Sequence, residues 1–286
     1  MPARMDDPDL PPILRASHRL LRRRGVCLLV RRDWESALPV EAMLAGAPLE
    51  AWGQPVPHGL RGRDTLHVLA TPHGELVAKR LSRGGIVGAL ARHSYADPAR
   101  PLREAAAAES LRQRGLVTPP VVAARATRAG PLWTIELATQ RLPAEGDLLD
   151  CLRAHGPAAS LARAAGRTLR RAHDAGLHHR DLQVKNLLVP AGFPGPGGPD
   201  RPHDLVLLDL DRCRVGQPLN VAERLASLAR FARSLVKHGF LRPPGAEIRL
   251  FLRAYGGLPG HPPARLLELV GGRVRREVAR HRWLWR

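Results

Sequence analysis

Cysteines, aromatic residues and long apolar runs are scarce in this chain. Its three cysteines, Cys27, Cys151 and Cys213, lie far apart and form no C-x-x-C pair. The sequence therefore argues against a disulfide framework and a cysteine zinc site, and it favours a reducing cytoplasm. Aromatic residues make up 4%, which is too few for a base-stacking surface, so we expect no nucleic-acid partner.

The sequence contains no stretch of about 18 apolar residues, the length at which a membrane-spanning helix becomes a candidate. Residues 1–7 show no signal-peptide pattern. We therefore expect a protein that neither spans a membrane nor carries a secretory leader.

Acidic residues are also few. The chain has 26 Asp and Glu against 45 Lys and Arg, which gives a formal net charge of +19. This imbalance predicts an anionic partner, such as a membrane surface or an anionic substrate, and no feature indicates an obligate protein partner. Apolar residues at 44% are enough for a core, and 286 residues suffice for one large domain or two lobes.

Residues 178–189, HHRDLQVKNLLV, carry the clearest chemical signal. Asp181 ends a loop, Asn186 follows before a short apolar strand, and a second strand delivers Asp209. This spacing matches the kinase pattern H-R-D-x-x-x-x-N, with an Asp where a metal-binding Asp is expected. The alternative interpretation is a helix end followed by two surface strands whose carboxylates share no role.

Each of these residues has an expected role in phosphoryl transfer, which depends on positioning and on cations that neutralise the phosphates. We expect Asp181 to orient the attacking hydroxyl or accept its proton, and Lys185 to approach the γ-phosphate. Asn186 and Asp209 would hold Mg²⁺, a cation that prefers oxygen ligands and bridges the phosphate oxygens of ATP. A hairpin between Asn186 and Asp209 would bring the two ligands together.

A kinase also needs a lysine on a strand and a glutamate on the following helix. Residues 76–81 predict a strand that carries Lys79, and residues 101–114 predict a helix with Glu104 in its first turns. We expect Lys79 to contact the α- and β-phosphates and Glu104 to pair with it, with Glu109 as the alternative partner. The alternative interpretation is structural: Lys79 would be an ordinary charge at the edge of a strand, and Glu104 would only complement the helix dipole.

A loop with two glycines, Gly59 and Gly62, precedes the predicted strand hairpin. Kinases cover the phosphates of ATP with a loop at this point of the chain, so both glycines are candidates for cofactor binding. The loop lacks the full G-x-G-x-x-G pattern, and by itself it is more typical of a hairpin turn.

Together these elements predict an α+β fold with the two lobes of protein kinases. Residues 1–50 would form an N-terminal extension, including a short basic helix over residues 13–24. Residues 51–142 would form a small β-rich N-lobe, and residues 143–286 a mostly helical C-lobe. The basic C-terminal segment, with Trp283 and Trp285, suits a membrane surface or a packed terminal helix.

The chain resembles the lipopolysaccharide kinase family within the protein-kinase-like superfamily, and most of all the 3-deoxy-D-manno-octulosonic acid (Kdo) kinases. Residues 77–88, VAKRLSRGGIVG, look like the V-L-R-x-Y-R-R-G-G region of these enzymes. The H-H-x-D-L of residues 178–182, the L-D-x-D-R of residues 208–212 and an N-L-x-R-L-x-R-S-x-x-K pattern over residues 220–237 are similar too. The likeness covers roughly residues 50–240.

The resemblance implies an ATP-dependent kinase that phosphorylates a Kdo hydroxyl on a lipid A precursor. It also implies a peripheral protein on the cytoplasmic face of the inner membrane. The positive charge agrees with both, because the glycolipid and the inner leaflet are anionic.

Two other functions stay open at this point. A phosphotransferase for a soluble sugar or an aminoglycoside would share the motif, although the basic residues after Asp209 suit a cationic aminoglycoside poorly. An inactive kinase-like module could bind lipid through its basic surface, but it would have no need of Lys79, Asp181, Asn186 and Asp209 together. The sequence Asp209-Leu210-Asp211 replaces D-F-G and no A-P-E follows, which argues against a protein substrate.

Overall fold

The computed structural model describes residues 9–60, 65–82, 93–194, 204–240 and 245–280. It divides into two compact units. The first, called here the β-rich unit, comprises Met1–Ser110 and Pro119–Leu142. The second, the helical unit, comprises Leu111–Thr118 and Pro143–Arg286.

The β-rich unit is built on a seven-stranded antiparallel sheet in the order β1-β2-β6-β7-β5-β4-β3. Its first strand contradicts the helix predicted over residues 13–24. Leu20 and Leu21 of this strand pair with Leu29 and Leu28, so the segment gains a strand partner that local sequence does not reveal. The strands are β1 (His18–Arg23), β2 (Val26–Arg31), β3 (Gln54–Val56), β4 (Leu66–Thr71), β5 (Gly74–Arg80), β6 (Val121–Ala129) and β7 (Leu132–Gln140).

Both faces of this sheet are covered. Two 3-10 helices, Arg32–Ala37 and Leu49–Trp52, flank α1 (Val40–Leu44) and bury Trp34, Met43 and Trp52 against one face. On the other face, α2 (Arg100–Gln113) packs Ala105 against Leu137. Residues 18–52 are therefore part of the core of this unit, whereas the sequence analysis had set residues 1–50 apart as an extension.

A buried ion pair joins one helical layer to the sheet. The Arg125 guanidinium donates from Nε to Glu136 Oε2 over 2.8 Å and from Nη1 to the Met43 carbonyl over 2.9 Å. It also lies over the Trp52 ring. Arg80 donates to the other Glu136 oxygen over 2.9 Å. Because the Glu136 charge is hydrogen-bonded by two guanidinium groups, its burial is compensated.

The helical unit contains a three-stranded sheet, β11-β10-β8, and a two-stranded sheet, β12-β9. Asp147 caps the first helix of this unit through the Asp150 N–H, and Asn220 forms a capping box with Glu223. The helices are α3 (Leu148–His155), α4 (Ala159–Asp174), α5 (Val221–Lys237), α6 (Ala246–Tyr255) and α7 (Pro263–Arg280). The strands are β8 (Ala144–Asp147), β9 (Leu177–His178), β10 (Leu187–Pro190), β11 (Val206–Leu207) and β12 (Arg214–Val215). Among the described residues, no helix has the length and apolar content needed to cross a bilayer.

Helices α4 and α6 cross in close contact at Gly166. A Cβ at this position would overlap the Phe251 carbonyl oxygen and lie 3.1 Å from Ala254 Cβ. Glycine in a helix costs conformational entropy, but a larger residue would not fit at position 166 because the two backbones approach each other there.

About two turns further along α4, His173 is buried between two hydroxyl groups. Its Nδ1 lies 2.7 Å from the Tyr255 hydroxyl and its Nε2 lies 2.9 Å from Ser227 Oγ. Burial, followed by the positive charge of Arg224, lowers the pKa of His173 to about 3. The imidazole is therefore neutral in the folded protein at neutral pH.

We expect Gly166→Ala to destabilise the protein by about 1–3 kcal/mol, because the added methyl group forces α4 away from α6. The matched control is Gly272→Ala in α7, where a Cβ would meet only the ends of two arginine side chains at 3.6 Å or more. That control should be neutral or stabilising by up to about 1 kcal/mol. Denaturant unfolding of both variants measures the difference, and equal effects would contradict the close crossing.

We expect stability to fall as pH is lowered from 6.5 towards 3. Below pH 6.5 the unfolded chain protonates His173 while the folded chain does not, so protons favour unfolding by up to about 1.4 kcal/mol per pH unit. His173→Gln should flatten the stability profile between pH 7 and 5, measured by urea unfolding, relative to a control at the exposed His155. An unchanged slope in His173→Gln would show that other groups dominate.

Candidate active site

The predicted catalytic stretch lies in the helical unit, after the end of α4. Gly176 has a φ of 75°, and a Cβ there would overlap the Gly216 carbonyl oxygen, so only glycine fits this turn. Strand β9 follows and pairs with β12, with His178 opposite Arg214. This short ladder fixes the direction in which the chain enters the loop of residues 179–186.

His179 anchors the loop to the strand that delivers Asp209. Its side chain is buried, and Nε2 lies 3.1 Å from the Leu208 carbonyl oxygen. Burial lowers the pKa of His179 despite the opposing hydrogen bond and the nearby carboxylates of Asp209 and Asp181. A neutral ring that donates from Nε2 is a structural brace and not the base of the site.

Asp181 is exposed at the tip of the loop, where a carboxylate is accessible to a substrate. Gln183 Nε2 donates to Asp181 Oδ1 over 2.5 Å. Asn186, which is buried, donates from Nδ2 to the Asp181 carbonyl over 2.7 Å. Gln183 and Asn186 thus both hydrogen-bond back to Asp181 within the loop. The bond from Gln183 holds the Asp181 carboxylate in place.

A hairpin brings Asn186 next to Asp209. Strand β10 begins directly after Asn186, and its first residue, Leu187, pairs with Leu207 of β11. The Leu208 N–H then donates to the Asn186 carbonyl over 2.9 Å. The structure therefore contains the hairpin that the sequence analysis expected between these two residues.

Asp209 has a left-handed backbone conformation, with a φ of 55°. This region is uncommon for residues other than glycine, although Asp and Asn tolerate it better than most. Such strain costs about 1–3 kcal/mol and persists where the surroundings determine it, often at functional sites. The side chain is exposed, as a metal ligand that meets a nucleotide must be.

The donor set fits Mg²⁺. Because Asn186 uses its amide nitrogen for the Asp181 carbonyl, its Oδ1 is left as the acceptor that a hard cation takes, and the Asp209 carboxylate supplies the second oxygen. No group of three or more His, Cys, Asp or Glu side chains in the described part of the chain could hold a metal.

Two residues of α5 that the sequence analysis did not assign to the site support the loop. Arg230 Nη1 donates to the His179 carbonyl over 3.1 Å. Ser234 Oγ accepts from the Val184 N–H over 3.1 Å. The sequence could have indicated that Arg230 and Ser234 act together, because residues four apart on a helix lie on the same face. Lys185, next to Val184, is exposed.

Lys79 and Glu104 lie on the same side of the sheet in the β-rich unit. Lys79 of β5 is directly opposite Leu137 of β7, so the two side chains share a face. Leu137 packs against Ala105, and the adjacent Glu104 is buried. This placement allows the predicted pairing of Lys79 with Glu104.

The alternative partner, Glu109, binds elsewhere. Its carboxylate accepts from Arg31 Nη1 over 3.2 Å in a half-buried pair. Arg31 belongs to β2, which the register separates from β5 by β6 and β7. Glu104 is thus the better placed of the two acids for Lys79.

The glycine candidates receive less support. Gly59 is exposed in the connection between β3 and β4, with nothing within 4 Å of a Cβ added to it. Gly62, the R-G-G segment of residues 83–85, Trp283 and Trp285 lie outside the described residues. The proposed roles of these positions stay predictions.

Comparison with known proteins identifies the family of this chain. The sequence profile of the lipopolysaccharide kinase (Kdo/WaaP) family matches residues 53–255. The chain is 27% identical to the 3-deoxy-D-manno-octulosonic acid kinase of Vibrio cholerae over 62% of its length and 72% of the relative. It is 30% identical to that of Photobacterium profundum, with the same two coverages. For the enzyme of Xylella fastidiosa the identity is 30%, over 71% of this chain and 78% of the relative.

A solved structure, described as WaaP in complex with acyl carrier protein, superposes with a TM-score of 0.54 and 21% identity. The match covers 92% of this chain and 98% of that one. At this identity the likeness establishes the fold, which confirms the predicted α+β kinase-like architecture. The profile match spans more than half of the sequence, and the chain therefore belongs to the lipopolysaccharide kinase (Kdo/WaaP) family.

Proposed function

We propose that this phosphotransferase, whose acceptor is a hydroxyl group, moves the γ-phosphate of ATP to a sugar of the lipopolysaccharide inner core. The acceptor we favour is 3-deoxy-D-manno-octulosonic acid on a lipid A precursor. The hairpin that places Asn186 beside Asp209 carries the proposal, because it supplies the two metal ligands at the end of the loop that presents Asp181. The curated relatives, which bear the name of that kinase, support the choice of sugar.

In this proposal Asp181 orients the sugar hydroxyl and takes its proton as the hydroxyl oxygen attacks the γ-phosphorus. Gln183 holds the carboxylate from one side, which limits its rotation. Asn186 and Asp209 would hold Mg²⁺, which when bound would supply positive charge to the phosphates of ATP, and Lys185 stabilises charge on the transferred group. The bond between the γ-phosphorus and the bridging oxygen of ADP breaks, and ADP is the leaving group.

The β-rich unit supplies the nucleotide contacts in the same proposal. Lys79 binds the α- and β-phosphates, and Glu104, buried on the same face of the sheet, keeps the ammonium group in place. The backbone near Gly59 and Gly62 would cover the phosphates. These assignments rest on the order of the motifs and on the shared face of Lys79 and Leu137.

The proposed place of action is the cytoplasmic face of the inner membrane, with the protein bound to the surface. The net charge of +19 favours an anionic leaflet and a phosphorylated, carboxylated glycolipid.

An apolar cavity in the helical unit supports a lipid-linked acceptor. It has a volume of about 720 Å³ and opens among α3, α4, α5, α6 and α7. Side chains that line it include Leu152, Leu161, Phe231, Leu235, Phe251 and Val270. A cavity of this size and polarity is typical of a site for an apolar ligand, and we assign it to a fatty acyl chain of the acceptor.

The solved neighbour suggests a competing occupant, since its structure is a complex of WaaP with acyl carrier protein. The sequence analysis expected no obligate protein partner. An acyl group attached to a carrier protein would also fit this cavity. We therefore treat it as the alternative occupant, to be distinguished by experiment from the acyl chain of the acceptor.

We expect labelled γ-phosphate to pass from ATP to a Kdo-bearing lipid A precursor. Asp181→Asn should lower kcat by about 10²–10⁴-fold while ATP still binds, because the proton acceptor is lost and the nucleotide site is kept. Asp209→Asn should abolish metal-dependent turnover. Lys79→Ala should weaken the use of ATP. The exposed Asp33→Asn is the matched control.

Near-normal turnover by Asp209→Asn would contradict the metal assignment. Transfer to free sugars but not to the lipid precursor would favour the soluble-sugar kinase. Vesicle binding without any transfer would favour the inactive module.

We expect Ala162→Phe, which fills the cavity from α4, to weaken binding of a fluorescent fatty acid by about tenfold or more. It should also raise KM for the lipid-linked acceptor while leaving kcat close to wild type. Ala159→Phe, at an exposed position of the same helix, should behave like wild type.

Unchanged fatty-acid binding by Ala162→Phe would refute the cavity assignment. If Ala162→Phe instead lowers binding of acylated carrier protein and leaves acceptor KM unchanged, the carrier protein is the occupant.

A further inference from the structure

One face of α5 runs along the catalytic loop and brings its basic end to the turn that carries Lys185. Arg230 contacts the His179 carbonyl, and Ser234 contacts the Val184 N–H one helical turn later. Lys237, three residues beyond Ser234, continues this face. The last turn of α5 therefore lies beside residues 184–186.

Several positive charges act on His238, the C-cap residue that follows α5. The pKa of His238 is lowered, first by partial burial and then by the charges of Arg153, Lys237 and Lys185, with Asp147 acting in the opposite direction. Arg153 stands on α3, and Lys185 on the catalytic loop. The Ser234–Val184 hydrogen bond joins α5 to the loop, and Leu152 of α3 and Val236 of α5 line one cavity, so the three elements that carry these cations are neighbours.

Two acidic residues lie near this cluster, Asp147, whose charge opposes the cations at His238, and Asp150. Arg153 lies 3.9 Å from Asp150 in a pair whose side chains are 58% and 67% exposed, which contributes little. The side chains of Lys185 and Lys237 make no hydrogen bond or ion pair within the described ranges. Like charges repel one another, so an anion bound among Arg153, Lys185 and Lys237 would relieve their repulsion.

We propose that Arg153, Lys237 and His238 form a subsite that binds an anionic group of the acceptor, beside Lys185 and the catalytic Asp181. The shared chemistry is an oxyanion, supplied either by the carboxylate of the sugar acid or by a phosphate of the lipid. This subsite rests on the proposed function and deepens it, because it would orient the acceptor without touching the reacting atoms.

The position of the subsite explains how a kinase of this kind selects its acceptor. Arginine and lysine at one side of the loop would hold the anionic group, and Asp181 would then meet a hydroxyl at a fixed distance from it. The walls of the apolar cavity include Leu152, next to Arg153, and Val236, next to Lys237. A lipid with an anionic head therefore finds charge and apolar surface on the same two helices.

The test uses a double variant, Arg153→Gln with Lys237→Gln, and a control that removes the same charge from α6 and α7. The control is Arg253→Gln with Arg265→Gln, and Arg265 matches Arg153 closely, since it is 59% exposed and pairs with an acid three residues away. The His238 imidazole is titrated by NMR with saturating ADP present, so that the nucleotide's phosphate sites are filled. The probes are inorganic phosphate and free 3-deoxy-D-manno-octulosonic acid.

In the wild type and the control, we expect a bound oxyanion to raise the pKa of His238, because negative charge favours the imidazolium. In the double variant the pKa should already be higher and should no longer respond. KM for the lipid-linked acceptor should rise about tenfold in the double variant, with kcat within about twofold. A response to the sugar acid alone identifies the carboxylate as the ligand, and a response to phosphate alone identifies the lipid phosphate.

No response of His238 to either probe, or a double variant that equals the control, would overturn the subsite even if the enzyme transfers phosphate normally. A response of His238 in a protein that transfers phosphate to no Kdo-bearing acceptor would instead refute the proposed function and leave the oxyanion subsite standing. The titration therefore tests the subsite and the transfer assay tests the proposed function, and either result can be negative without the other.

Discussion

The peptide unit of Leu208 is the constraint on which the candidate site depends. Its N–H donates to the Asn186 carbonyl, and its carbonyl oxygen accepts from the buried His179. The start of the catalytic loop, the end of that loop and the strand before Asp209 are thereby held at one point. Because backbone groups make these bonds, the arrangement is insensitive to the identity of residue 208 and sensitive to the neutrality of His179.

Helix α5 contacts the loop that is held at this point. Arg230 and Ser234 support the loop from one face, Lys237 extends the same face, and Leu235 and Val236 line the apolar cavity. A single amphipathic helix therefore supplies support for the loop, positive charge and apolar surface. In the proposed function, this helix and α3 would bind the acceptor, whereas the loop and the hairpin would carry the phosphate chemistry.

The sequence predicted the local elements of the site well and the N-terminal part of the fold poorly. The strand of Lys79 and the helix of Glu104 were found because apolar periodicity and helix propensity are local signals. The helix predicted over residues 13–24 was wrong, because Leu20 and Leu21 pair with a neighbouring strand. The burial of Trp34 and Trp52 against that sheet was equally invisible, since it joins residues distant in the chain.

The sequence by itself determined which residues are the candidates for the chemistry, because the spacing of Asp181, Asn186 and Asp209 follows from a loop and a hairpin, both of which are local. Only the tertiary structure decided that Glu109 binds Arg31, that burial lowers the pKa of His179, and that α3 and α5 line the same cavity. Each of those facts depends on contacts between separate elements, and on burial, neither of which composition or periodicity encodes. The packed helices also create the cavity, since its walls come from five helices that no local pattern brings together.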